Sequence, residues 1–396
     1  MSENRTILSG LKIWDGLAGD YLPDVDSITI DGHAITSIGH GHQSAGIKTK
    51  QINCAGLYAI PGLIDAHIHL VLDPEIKDAM KQGLESTAEL MLKMELRVKK
   101  MAAAGITTAR DLGGGQWQEL IVRDRIQRGE LVGPRLVCSG QPITSPQGHC
   151  HFWGGEAETT EECLSVLERQ IERGVDLIKV MATGGTMTPL SRPVDAQFDL
   201  ATMTKIVERS SQHHRHVAAH CHGTSGIRNA AMAGVRTIEH CSFVGENGWG
   251  ADYDELAVQE MVANDTRVSP TISFGWRRFI GNDKGPEKRV MENLARLRQA
   301  GVKLIASTDA GIPNVFHHDL PKALAVFAHF ASFTPVEALR SATSDCASAI
   351  GLGDITGVLK PGFEADVVLY EKDPLADLSA LEHPVAVYGR GVLLSD

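Results

Sequence analysis

Four times in this 396-residue sequence a helical pattern closes on a glycine and an apolar run follows at once. Gly105 precedes Ile-Thr-Thr-Ala-Arg-Asp (106–111), Gly174 precedes Val-Asp-Leu-Ile-Lys-Val (175–180), Gly234 precedes Val-Arg-Thr-Ile-Glu-His (235–240) and Gly301 precedes Val-Lys-Leu-Ile-Ala-Ser (302–307). Glycine tolerates the left-handed conformation that ends a helix, and a buried strand entered from a helix pairs parallel through a right-handed crossover. Eight candidate strands fit this pattern: 63–69, 106–110, 135–139, 176–181, 216–221, 236–240, 267–272 and 303–308. Helices are expected over 160–173, opened by a capping box at Thr159 and Glu162, and over 287–300. Together these units predict an α/β fold, a (β/α)8 TIM barrel over residues 59–358. An open dinucleotide-binding sheet would carry a glycine-rich loop after its first strand, whereas this first strand ends in His-Ile-His. Gly113 to Gly115 lacks the spacing of a phosphate cradle and reads as a tight turn.

The flanks have a different texture. Residues 1–58 read as short strands (6–14, 27–30 and 34–38) around an Asp31-Gly32 hairpin turn, and residues 359–396 return to strands at 365–370 and 385–394. We expect the two flanks to form one composite β-sandwich domain. With 43% hydrophobic and 22% charged residues the composition is that of an ordinary globular protein. A net charge of -11 argues against nucleic acid and anionic membranes as partners. The basic run Arg97 to Lys100 lies among Met91, Met94, Val98 and Met101 at helical spacing, and reads as a solvated helix face. Seven scattered cysteines without a CxxC pair suit a reducing compartment, and no apolar run is long enough to span a bilayer. The N-terminus has no apolar signal core. A cytoplasmic location is expected.

Barrel enzymes build their sites where strands end, and the strand-terminal residues here are His67, His69, Arg110, Asp111, Lys179, His220, His222, His240 and Asp309. In a strand, alternation puts His67 and His69 on one face, as a divalent metal requires, although that pair alone fits two hydrogen-bonded core histidines equally well. Charged and imidazole groups on interior strands must be paired or ligated to offset desolvation. His213, His214 and His216 fall at the opposite end of the units and read as a solvated loop. Gly148-His-Cys-His151 follows the third strand and can face the site, as can His317 and His318 after the eighth.

The chain resembles the metal-dependent amidohydrolase superfamily along its whole length. The resemblance rests on Pro-Gly-Leu-Ile-Asp-Ala-His-Ile-His (61–69), Gly-Ile-Thr-Thr-Ala-Arg-Asp (105–111), Leu-Ile-Lys-Val-Met-Ala-Thr-Gly-Gly (177–185), His-Cys-His-Gly (220–223), Ile-Glu-His (238–240) and Ser-Thr-Asp-Ala-Gly (307–311), in that order. The most similar subgroup is imidazolonepropionase-like and prolidase-like, with Xaa-Arg or Xaa-Pro dipeptidase character. The resemblance implies two divalent metals, most simply Zn2+: His67, His69 and Asp309 would hold one, His220 and His240 the other. Lys179 would bridge them as an N-carboxylated (carbamate) lysine, its alternative being a buried salt bridge to Asp111 or Glu239.

Asp309 and His222 are expected to be catalytic, and loop position and charge make His149, His151, Arg228 and His317 candidate substrate contacts, with Arg192 a further possibility. The expected reaction is hydrolysis of a C–N amide bond in a dipeptide or N-acyl amino acid. Alternatives are a urea, carbamate or cyclic-amide hydrolase, or a noncatalytic scaffold. His222 stands where Xaa-Pro-cleaving relatives look tyrosine-like, so basic or neutral C-terminal residues are expected to outrank proline. A small-molecule substrate and a homo-oligomer are the expected partners.

Overall fold

The computed structural model describes residues 5–40, 49–78, 85–282 and 285–395. The chain opens with β1 (Arg5–Ser9), β2 (Lys12–Ile13), β3 (Ser27–Asp31), β4 (Ala34–Gly39), β5 (Thr49–Asn53) and β6 (Tyr58–Pro61). It closes with β14 (Val367–Tyr370), β15 (Pro384–Gly389) and β16 (Val392–Ser395). One flanking sheet has the order β4-β3-β1-β5, and the other, β16-β15-β14-β6-β2, is built from both ends of the chain. Leu8, Ile13, Ile28, Ile30, Val367 and Leu369 close a core of their own between these strands.

Between the flanks, strands and helices alternate: β7 (Leu63–Ile68), α1 (Thr87–Ala103), β8 (Ile106–Asp111), α2 (Gln118–Gln127), β9 (Arg135–Cys138), α3 (Thr160–Glu172), β10 (Ile178–Met181), α4 (Leu200–Gln212), β11 (Val217–Gly223), α5 (Thr224–Met232), β12 (Thr237–Val244), α6 (Glu255–Ala263), β13 (Arg267–Ser269) and α7 (Glu287–Ala300). Helices α8 (Leu320–Ala331), α9 (Pro335–Ser341) and α10 (Ser344–Ala349) follow. The punctuating glycines behave as their sequence positions require: Gly105, Gly174, Gly234 and Gly301 have φ of 82°, 80°, 76° and 99°. The capping box at Thr159 and Glu162 opens α3.

Strands β7-β8-β9 pair parallel, as do β10-β11-β12-β13. The two sheets are joined by further backbone bonds. Asp176 N donates to Cys138 O at 2.8 Å and Ile143 N to Lys179 O at 2.9 Å on one side. On the other, Ile305 N donates to Val268 O at 2.9 Å, and Asp309 N donates to His67 O at 2.9 Å. The expected eighth strand, 303–308, is therefore present as a connection but not as a regular strand: it has single bridges at Leu304 and Ala310. Its Ala306 N is drawn instead to Ser341 O at 2.9 Å, at the end of α9.

Helix α1 corrects one expectation. Met94, Val98 and Met101 pack inward, but so does Arg97, which is buried and donates to the Leu70 carbonyl at 2.8 Å while pairing with Asp73 at 3.2 Å. Only part of that basic run is a solvated face. His216 is likewise not solvated; its Nε2 is buried without a partner and burial pushes its pKa down to about 3.

Candidate metal centre

The histidines are brought together because β7, β11 and β12 end at the same side of the molecule. His67, His69 and Asp309 form one cluster of ligand-type atoms, and His220, His222 and His240 a second, each with its atoms within 4.8 Å of one another. His67 Nε2 lies 3.3 Å from His69 Nε2 and 3.3 Å from Asp309 Oδ1. The rings of His67 and His240 stand 5.3 Å apart, linking the clusters. A cavity of about 50 Å3 is lined by all six, together with His149 and Lys179.

Each of the five histidines has one ring nitrogen held by the protein. His67 Nδ1 meets Glu239 at 3.0 Å, His69 Nδ1 meets the Gly113 carbonyl at 3.0 Å, and His240 Nδ1 meets Thr271 Oγ1 at 2.8 Å. His222 Nδ1 meets Ser242 Oγ at 2.9 Å, and His220 Nε2 meets the Gly184 carbonyl at 3.1 Å. An ionised carboxylate and a carbonyl only accept hydrogen bonds, so the bonded nitrogens of His67, His69 and His220 carry the proton, and the other nitrogen presents a lone pair to the cavity. That is the arrangement by which proteins orient metal-binding imidazoles. Burial pushes His67 and His222 down to about 4 and holds His220 and His240 well below the ordinary imidazole value.

Lys179 is 1% exposed and its Nζ has no hydrogen-bond partner among the described residues. It makes neither of the alternative salt bridges, to Asp111 or to Glu239. Glu239 is engaged by Arg110 at 2.8 Å and by His67, and Asp111 accepts from Leu70 N at 2.7 Å and Gly113 N at 3.0 Å. Burial lowers the Lys179 ammonium to about 8. Asp309 moves the other way. Burial would raise it, but the surrounding His67, His69 and His240 hold it far below the usual carboxylate range.

The expected substrate contacts separate into two sets. His149 joins the site: it is buried, its ring lies 4.5 Å from that of His220, and its Nδ1 is unpartnered. His222 lines the cavity and stacks on His240 at 4.5 Å. Three others are not brought there. His151 faces Glu156 at 4.0 Å, and Arg228 pairs with Asp254 at 2.6 Å on the half-exposed side of α5. His317 is 2% exposed and reaches the His69 carbonyl at 3.0 Å, so it braces the strand end from behind rather than lining the cavity. Arg192 is exposed and pairs with Asp195. The supporting residues Thr271 and Ser242 carry no signal in the sequence, and Glu239, named there only as an alternative partner of Lys179, instead supports His67.

Imidazoles and a carboxylate converging where parallel strands end define a metallohydrolase type of site. The chain belongs to the Amidohydrolase family, whose model matches residues 58–391, and it is a hydrolase. The ochratoxinase of Aspergillus niger is 29% identical over 364 residues, covering 83% of this chain and 73% of that protein. The imidazolonepropionase of Vibrio vulnificus is 24% identical, covering 86% and 84%. Among solved structures, a Xaa-Pro dipeptidase with bound methionine in the active site superposes with a TM-score of 0.85 at 25% identity, covering 98% of this chain and 99% of that one. Among the described residues no helix is long and apolar enough to cross a membrane.

Proposed function

We propose that the chain hydrolyses the C–N amide bond of a dipeptide or N-acyl amino acid at a two-metal centre. In this reading His67, His69 and Asp309 hold one divalent ion, His220 and His240 hold the other, zinc being the simplest choice for this donor set, and carbamylated Lys179 spans both. The carrying observation is the buried Nζ of Lys179, without a partner among the described residues, set among five histidines that each have one ring nitrogen held by the protein. An unpaired ammonium is costly there, whereas a carbamate supplies two anionic oxygens to a donor set otherwise short of charge. Burial supports its formation by favouring the neutral amine that reacts with CO2.

Divalent ions in such a site supply a water of lowered pKa and polarise the scissile carbonyl. Asp309, ionised at neutral pH, accepts the attacking water's proton on a carboxylate oxygen and returns it to the leaving amine. His222 and His149, neutral and facing the same chamber, orient the substrate by hydrogen bonding.

The architecture we propose for this site is a (β/α)8 barrel over 59–358 with a composite β-sandwich from 1–58 and 359–396. The run of backbone bonds from β7 round to Asp309 and the sheet shared by β6 and β14 support it. Residues 1–4, 41–48, 79–84, 283–284 and 396 of those spans lie outside the described ones.

The test combines metal analysis, a panel of dipeptides and N-acyl amino acids, and Lys179→Ala. The variant should lose both metal and turnover, and a short carboxylic acid in solution should restore part of the activity. Electron density ending at Lys179 Nζ in a fully metallated, active crystal would refute the bridge.

A further inference from the structure

Helix α1 turns an apolar seam toward solvent. Its exposed residues Glu89, Leu92, Leu96, Lys99 and Ala103 recur at alternating steps of three and four. Leu92 and Leu96 are 60% and 51% exposed, although Met94, Val98 and Met101 already give the helix a buried side against the barrel. A lone exposed leucine is ordinary on a protein surface, whereas two in line at coiled-coil spacing make a stripe that suits a second helix. Helix α2 widens the stripe. An ion pair between Arg125 and Glu95 ties the two helices side by side, and about one turn before it on each stand Leu92 and Ile121, the latter 47% exposed.

The charges on the seam identify its occupant. Glu89 lies three residues before Leu92, and Lys99 three residues after Leu96. The order Glu, Leu, Leu, Lys is therefore self-complementary. When a second α1 is turned end for end about a two-fold axis level with Met94, Glu89 of each copy falls opposite Lys99 of the other, and Leu92 falls opposite Leu96. A parallel alignment would set Glu89 against Glu89 and Lys99 against Lys99. Both charges are available for such a contact: Glu89 accepts from Ser86 N at 3.1 Å and Ser86 Oγ at 2.7 Å through one carboxylate oxygen, leaving the other open, and Lys99 makes no ion pair among the described residues.

We propose that α1 is the docking face for a second copy of this chain, with the two α1 helices antiparallel across a two-fold axis. Leu92 and Leu96 interleave at its centre, and two Glu89–Lys99 pairs close its ends. The 17 residues of α1 make a strip about 25 Å long and about 10 Å wide. Even with the flank of α2 this falls short of the roughly 800 Å2 per partner of a standard interface, so the pairing is of about micromolar strength.

The test is sedimentation velocity on the full chain over roughly 1 to 100 µM, a range that brackets such a dissociation constant. The parent should show a concentration-dependent doubling of mass. Leu92→Lys and Leu96→Lys place a good helix former at exposed positions, so the thermal midpoint should hold, while each raises the dissociation constant by roughly a hundredfold because every substitution counts twice across a two-fold axis. Glu89→Lys and Lys99→Glu should each weaken pairing by roughly tenfold, since like charges then meet at both ends. Glu89→Gln, which keeps the capping-box hydrogen bonds, separates loss of charge from loss of the cap. Mixed in equal amounts, the two charge-reversed variants should pair with each other at parental strength: one carries lysine at both seam ends and the other glutamate at both, so every contact is again between opposite charges. A parent that stays monomeric throughout, a mass unmoved by the leucine substitutions, or a mixture that associates no better than its components would overturn the proposal.

Discussion

Glu239→Ala tests how the site is held to the fold. Glu239 and Arg110 are both fully buried, and their side chains form one connected set: Arg110 donates to Glu239 at 2.8 Å, to the Ala66 carbonyl at 2.7 Å and to Thr237 Oγ1 at 2.9 Å. Burial would raise the Glu239 carboxyl, but the Arg110 guanidinium and the His67 hydrogen bond hold it well below its ordinary value. Removing the carboxylate leaves a guanidinium in the interior with neutral partners only. Breaking a buried pair from one side costs about 3–5 kcal/mol, or roughly two to three and a half orders of magnitude in the unfolding equilibrium. Urea denaturation of the chelator-treated protein should show that loss. The double variant Arg110→Met with Glu239→Leu removes both charges and should recover most of it, because paired buried charges are close to neutral against apolar replacements. A single variant within about 1 kcal/mol of the parent, or a double variant no better than the single, would refute the reasoning.

Asp309→Asn should leave the urea midpoint nearly unchanged, since asparagine also accepts the left-handed φ of 61° found there, while kcat falls by roughly 10²–10⁴; near-normal turnover in a metallated variant would sink the acid–base assignment. His317 is pushed down to about 3 by burial and then by Arg97, so in the native state it stays neutral while the unfolded chain protonates near pH 6.5. The unfolded state then binds more protons, and stability falls as pH drops from about 6.5 toward 3, by about 2 kcal/mol at pH 5 from this residue. His317→Gln should narrow the stability difference between pH 7 and pH 5 by that amount, and an unchanged difference would count against it. Thr271→Val keeps shape but removes the hydroxyl that holds His240 Nδ1; metal titration should show affinity lower by roughly tenfold to a hundredfold, and unaltered affinity would dismiss the orienting role.

What could be read in the sequence was what is periodic. The glycine-to-strand junctions report helix ends directly, and all four adopt positive φ. His67 and His69 follow from alternation alone, and β7 places both rings at one cavity. What could not be read depends on contacts between distant segments. His317 looks like a loop histidine near the site, yet its side chain turns to the His69 carbonyl, 248 residues away in sequence. Arg228 sits one turn beyond His222 and Gly223, but the helical turn aims it at Asp254. Arg97 belongs to a basic run, and only the open Leu70 carbonyl and Asp73 draw it inward.

The irregular eighth connection shows what buried carboxylates do where the regular ladders end. Non-glycine residues with positive φ gather at this end of the molecule: His240, Cys241, Phe243, Thr271 and Asp309 have φ of 67°, 49°, 46°, 53° and 61°. Such conformations cost on the order of 1–3 kcal/mol each, and they end the regular ladders where the side chains must converge. Backbone donors left without ladder partners need acceptors, and buried carboxylates provide them. Asp65 accepts from His67 N at 3.2 Å, Thr308 N at 3.1 Å and Thr308 Oγ1 at 2.6 Å, tying β7 to the segment before Asp309. Asp111 does the same for Leu70 N and Gly113 N beyond β7 and β8. Burial raises both, Asp65 to about 7 and Asp111 to about 6, and outweighs the lowering by the hydrogen bonds they accept. Asp309 is depressed instead, because the imidazoles around it outweigh burial. Among these three aspartates, the direction of the pKa shift therefore separates the one set among imidazoles from the two whose oxygens accept from backbone N–H groups and outlying hydroxyls in the dry interior.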